Sequence, residues 1–134
     1  MYQTINKITA SIMILVLLFA VTTTARETEN QLQDRDIRQT IRFARGKHST
    51  IISKQIRRGT SHTYILKARG GQRMQVVLTT RGRTSFTVYS PTEGIIEDAD
   101  GVKNWVGDLT ESGVYEITVG TDSTTNYTLE VAIK

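Results

Sequence analysis

The sequence predicts an all-β protein, an antiparallel jelly-roll-like β-sandwich of about eight to nine short strands. Three observations lead there. From Thr40 onward apolar residues recur with a period of two, the repeat of a strand with one wet face. Clusters of Gly, Asp, Ser and Arg interrupt that alternation roughly every 8–12 residues, the spacing of turns in a sandwich. The single proline, Pro91, falls at a strand end, where no ladder donor is missed.

Taken in order, "TIRFA" places Ile41 and Phe43 on one face, and "STIISKQI" does the same for Ile52 and Ile56, with Lys54 between them. "HTYILKAR" turns Tyr64, Leu66 and Ala68 inward and Thr63, Lys67 and Arg69 outward. "RMQVVLTT" buries Met74, Val76 and Leu78, and "SFTVYS" buries Phe86 and Val88. "GIIED" is short, and "NWVGDL" carries the only tryptophan, Trp105. The last two strands present Tyr115, Ile117 and Val119, then Tyr127, Leu129, Val131 and Ile133. "RRGT", "RGGQ", "RGR", "SPTEG", "DADG" and "ESG" supply the turns, and "TDSTTN" (Thr121–Asn126) joins the closing hairpin.

The first residues have a different character. Lys7 precedes an unbroken apolar run, Ile12–Val21, and small residues follow as far as Ala25. A spanning helix needs ~20 apolar residues, so this pattern reads as a cleavable export signal over residues 1–25 and not as a stable membrane anchor. The mature chain then begins at Arg26, with a periplasmic or secreted location. Residues 26–39 hold only Leu32 and Ile37 as apolar residues and read as a flexible polar arm ahead of a sandwich domain over residues 40–134. An exported chain without cysteine relies on packing alone, with no disulfide and no thiolate metal site.

Charge is divided between the halves. Arg26–Thr92 carries fourteen Lys and Arg against four Asp and Glu, whereas Glu93–Lys134 carries two against nine. Either the halves interleave and neutralise each other, or the basic half forms a surface for an anionic partner such as an envelope polymer. The basic residues form no run and no nucleic-acid motif, so nucleic acid is not expected as a partner.

Catalytic chemistry finds no footing. His48 and His62 have no carboxylate or second histidine at metal or triad spacing, and His62, on the Tyr64 face at a strand start, reads as a rim residue. "EDADG" (Glu97–Gly101) is half of a calcium loop, with Asp98 and Asp100 alternating, but lacks the closing bidentate carboxylate. Asn126-Tyr127-Thr128 matches a glycosylation pattern too short to be informative. No enzyme, no cofactor and no metal are expected.

"YILKARGGQRMQVVLTT", "SFTVYSPTEG", "WVGDLTESGVYEITV" and "YTLEVAI" together resemble the bacterial pre-peptidase C-terminal domain. Upstream, "IRFARGKHSTIISKQIRRGTSHTYILKARGGQRMQV" is similar to periplasmic inhibitors of goose-type lysozyme. The shared positions are a Phe-x-x-Gly-x-x-Ser opening (Phe43, Gly46, Ser49), a glycine turn before a tyrosine strand (Gly59, Tyr64) and an Ala-x-x-Gly-Gln turn (Ala68, Gly71, Gln72). The resemblance implies a non-catalytic binder of a goose-type lysozyme or another muramidase. It also implies arginines on the last connection and an aromatic residue near Thr60. Here that connection is short, has no arginine and holds Asp122. The alternative is a pre-peptidase-like module that holds anionic envelope polymer or glycan.

In an antiparallel sandwich successive loops alternate between the two ends. Counting "GIIED" as a strand sends "RRGTS", "RGR", "DADGVK" and "TDSTTN" to one end, and "RGGQ", "SPTE" and "ESG" to the other. The first end is therefore the expected binding end, with Arg57, Arg58, Thr60, Arg81, Arg83 and Asp122 as the candidate partner-binding residues and Asp98, Asp100 and Lys103 beside them.

Overall fold

The structure, a computed structural model, describes residues 36–134. The expected export signal and residues 26–35 of the expected arm lie outside the described residues.

Among the described residues nine strands form two facing sheets. The first sheet runs β1 (Asp36–Thr40), β3 (Ser61–Ala68), β8 (Gly113–Thr121), β5 (Thr84–Ser90), β6 (Gly94–Ile95). The second runs β2 (Ser49–Ile56), β9 (Thr125–Ile133), β4 (Arg73–Thr80), β7 (Asn104–Asp108). The chain crosses between the sheets repeatedly, so β8, from the acidic half, lies between β3 and β5 of the basic half, and β9 lies between β2 and β4. The halves thus interleave, yet ion pairing between described residues is limited to Arg38–Glu116 and Arg73–Asp108.

The expected alternation is what fills the core. Tyr64, Leu66, Phe86, Val88, Ile117 and Val119 on one sheet face Ile56, Met74, Val76, Leu78, Leu129 and Val131 on the other, all buried. Side chains two apart on a strand share a face, so each strand delivers every second residue inward and leaves the others wet. Burying one such side chain stabilises by about 1.5–3 kcal/mol. Lys54 is half-buried on the inward register of β2, an edge strand, where an inward charge discourages pairing with another chain's edge.

Two departures from the sequence expectation occur before β2. Asp36–Thr40, within or beside the expected polar arm, is a strand, and it pairs with β3 in parallel, Asp36 opposite Ser61 and Thr40 opposite Ile65. Ile41 and Phe43, read as a strand, belong to a connection over residues 41–48 that carries the chain from one sheet to the other. Their alternation reflects packing against the core and no ladder: Ile41 is buried and Phe43 half-buried upon it.

Candidate functional site

At one end of the sandwich three loops are bonded into a single body. Residues 57–60 form a turn in which Thr60 donates its N–H (3.1 Å) and its hydroxyl (2.7 Å) to the Arg57 carbonyl. The third position of this turn needs a positive φ, which Gly59 supplies at 73°. Gly59 N–H donates to the Thr121 carbonyl at 3.2 Å and Arg58 N–H to the Thr124 hydroxyl at 3.1 Å, which ties this turn to the β8–β9 loop. The same loop is tied to residues 81–83: Asp122 N–H donates to the Arg83 carbonyl (3.1 Å), and Arg83 N–H to the Ser123 hydroxyl (3.2 Å). Beneath them the buried Thr121 and Thr84 hydroxyls lie 3.0 Å apart. A Cβ at Gly82 would come within 2.7 Å of Ser123 Oγ and Thr125 Cγ2, so the loops touch with no spare room.

This stitching brings Arg57, Arg58, Arg81, Arg83 and Asp122 to one end, all exposed, as the loop count predicts. Thr60 is there too, half-buried, its hydroxyl engaged in holding the turn. β9 starts at Thr125, so the connection is only Asp122–Thr124, and its task is to brace the two arginine loops. Beside them opens a groove of about 690 Å³ lined by Ser53, Thr79, Arg81, Asn126 and Thr128, a surface of hydroxyls and amides next to guanidinium.

Asp98 and Asp100 do not join this end, whereas the Lys103 carbonyl accepts from Leu78 N–H at 2.7 Å, near the end of β4. After β6 the chain stays bonded along the edge of β5, with Ile96 N–H to the Val88 carbonyl and Phe86 N–H to the Val102 carbonyl, so it never swings out as a tip loop. Asp100 accepts from the Thr87 hydroxyl at 2.9 Å. Among the described residues no group of three or more His, Cys, Asp or Glu is placed to hold a metal ion.

The opposite end is stitched in the same manner. Gly71 N–H donates to the Leu109 carbonyl and Leu109 N–H to the Gln72 carbonyl, both at 2.7 Å, while Gly70 N–H reaches the Ser112 hydroxyl at 2.8 Å. Glu111 accepts from the Thr92 hydroxyl (2.6 Å) and N–H (3.2 Å). The Thr92 hydroxyl, followed by smaller contributions from neighbouring donors, holds the Glu111 carboxyl below the usual range. The 41–48 connection also lands at this end, where the His48 carbonyl accepts from Ile133 N–H at 2.8 Å. It brings Arg42, Arg45 and Lys47 to an end that the loop count leaves with glycine and small polar residues.

His62 is no rim residue. It is buried, and its Nδ1 lies 2.7 Å from the Tyr127 hydroxyl, which lies 2.5 Å from the Tyr64 hydroxyl. Its place on the Tyr64 face was the signal available in the sequence. Burial pushes the Tyr127 and Tyr64 phenols upward, so both stay neutral and can donate within the chain of contacts. With all three side chains sealed in the core, the arrangement can fix the packing of β3 against β9 but cannot meet a substrate.

The geometry has known counterparts. The chain superposes on the periplasmic inhibitor of g-type lysozyme from Aeromonas hydrophila with a TM-score of 0.65 and 25% identity, covering 75% of this chain and 99% of that one. The corresponding inhibitor from Salmonella Typhimurium gives 0.60 and 22%, covering 75% and 98%. The fold is theirs. A pre-peptidase C-terminal domain of a collagenase from Bacillus anthracis also matches, at TM-score 0.48 and 13% identity over 75% of this chain and 96% of that one, too distant to bear on the site. No protein-family model and no curated protein matches the sequence.

Proposed function

We propose that the protein is an exported, non-catalytic inhibitor-like protein that binds a g-type lysozyme with the end formed by residues 57–60, 81–83 and 122–124. The observation that carries this reading is the bonding of three loops into one body that bears Arg57, Arg58, Arg81 and Arg83, on a scaffold that superposes along nearly the full length of a lysozyme inhibitor. Glycoside hydrolases work with paired carboxylates in a cleft. Guanidinium groups match carboxylates in shape and charge, and loops already fixed before binding lose little entropy on docking. In this chain the arginines stand on the loops beside the last connection, and Asp122–Thr124 positions them through its hydrogen bonds. The apolar run Ile12–Val21 supports delivery to the periplasm or beyond.

The test is inhibition of purified g-type lysozyme by the mature protein, measured as clearing of cell-wall suspension. Inhibition is expected, and it should weaken as ionic strength rises, because exposed charges are screened within ~8 Å at physiological salt. A stoichiometric excess that leaves lysozyme activity unchanged at low salt contradicts the proposal.

A further inference from the structure

We infer that the opposite end holds a second, separate binding site, a pocket for a sugar carrying a carboxylate or phosphate. The pocket has a volume of about 420 Å³, within the usual range of small-ligand sites, and lies where the 41–48 connection meets the end of β3 and the turn that follows it. Its apolar part is Phe43, Ala68 and Ile133, all packed on the core and so fixed in position. Its polar part is Lys67, Arg69, Gln72 and His48, and no carboxylate lines it.

The donor balance identifies the ligand class. Gln72 Oε1 already accepts from Arg69 N–H at 2.7 Å, which leaves the side-chain NH2 group as what Gln72 offers to a visitor. Lysine and arginine can only donate. Neither Lys67 nor Arg69 forms an ion pair among the described residues, and neither do Arg42, Arg45 and Lys47 on the adjoining connection. A site for a neutral sugar balances donors with acceptors; this one presents two cationic donors, an amide NH2 and the His48 imidazole over an aromatic and aliphatic floor, so donors predominate. An anionic group satisfies the donors, and the C–H face of a sugar ring satisfies the floor. A repeating anionic glycan would present such units in series, and the neighbouring unpaired cations would add attraction along the strand.

The site does not depend on the lysozyme reading, because it shares no loop with the other end. Its test is calorimetric titration of the mature protein with glucuronate, glucose 6-phosphate and glucose at low salt. The two anionic sugars distinguish a carboxylate from a phosphate source. At least one should bind, and glucose should bind about tenfold or more weakly than it. The exposed pair Lys67→Ser/Arg69→Ser should weaken that binding about tenfold or more, while Arg81→Ser/Arg83→Ser leaves it unchanged. Inorganic phosphate is the fourth titrant, and it should bind more weakly than glucose 6-phosphate because it leaves the Phe43 floor uncovered. Equal binding of glucose and the anionic sugars overturns the proposal, as does full retention by the Lys67/Arg69 variant or failure of both anionic sugars to bind.

Discussion

The two ends of the sandwich are built alike and charged differently. At each, loops from both sheets are joined by backbone and hydroxyl hydrogen bonds, Asp122 to Arg83 at one and Leu109 to Gln72 at the other. At the first end the cations stand on the turns themselves, in residues 57–58 and 81–83, exposed, with Arg81 at the rim of a groove of hydroxyls and amides. At the second they come from the end of β3, the turn after it and a long crossing connection, and they surround a concavity with an apolar floor. Arginines carried on braced turns suit the carboxylates of another protein, as proposed for the first end. A cation-lined hollow with an apolar floor suits a small anionic group, as inferred for the second. The difference lies in how the loops meet.

The largest expected effect removes what the ends share. Leu129 lies at the centre of β9, fully buried between the sheets. Leu129→Ala should cost about 2–5 kcal/mol in chemical denaturation, and binding at both ends should fall together as the folded fraction falls. Retained stability would mean the ends are supported independently.

Gly82→Ala sharpens the contrast by acting at one end only. The new methyl would press on Ser123 and Thr125, with an expected cost of about 1–3 kcal/mol. Amide signals of residues 57–60 and 122–124 should shift while those of residues 69–72 stay in place. Shifts of equal size at both ends would show that the ends are coupled through the core.

A smaller effect separates the ends by pH. The Glu111 carboxyl is held below its usual range by the Thr92 hydroxyl, so its contribution is present above the unfolded carboxyl range and is lost as pH falls through the folded value. Acid should therefore loosen the second end first, and Glu111→Gln should remove that part of the acid slope. The Tyr64 and Tyr127 phenols are raised, chiefly by burial, so their contribution is full below about pH 10 and declines as pH rises beyond it. Hydrogen exchange followed at both pH extremes reads out each arm. Acid protection that is lost evenly across the molecule would contradict the assignment to Glu111.

The features of the molecule that are legible in the sequence are those governed by strand periodicity. Tyr64, Leu66, Met74, Val76, Ile117 and Leu129 alternate cleanly because each strand that carries them has one buried face, and the core follows from that alone. The grouping of Arg57, Arg58, Arg81 and Arg83 was legible too, since loop alternation in a sandwich is a matter of counting. β1 was not: Asp36–Thr40 buries almost nothing and is defined by its backbone pairing to β3, which leaves no trace in side-chain pattern. The second basic pocket was hidden for a related reason. Ile41 and Phe43 alternate like a strand while serving a crossing connection; reading "TIRFA" as a strand hid Arg42, and a loop count that starts at "RRGTS" leaves Arg45, Lys47 and His48 assigned to neither end. Asp98 and Asp100 were misplaced because hydrogen bonds to β5 hold their segment along the sheet edge, which composition does not reveal.

The two ends are proposed to bind different partners, and one paired measurement separates them. The variant Arg57→Ser/Arg58→Ser/Arg81→Ser/Arg83→Ser and the variant Lys67→Ser/Arg69→Ser are each assayed for inhibition of g-type lysozyme at low salt. Surface changes of this kind usually leave stability within about 0.5 kcal/mol per site, and circular dichroism melting confirms that each variant is folded. The first variant should lose about tenfold or more in inhibition, as desolvated arginine anchors do on truncation, while the second should inhibit like the unaltered protein. Inhibition that survives in the first variant and disappears in the second would contradict the assignment of partners to ends.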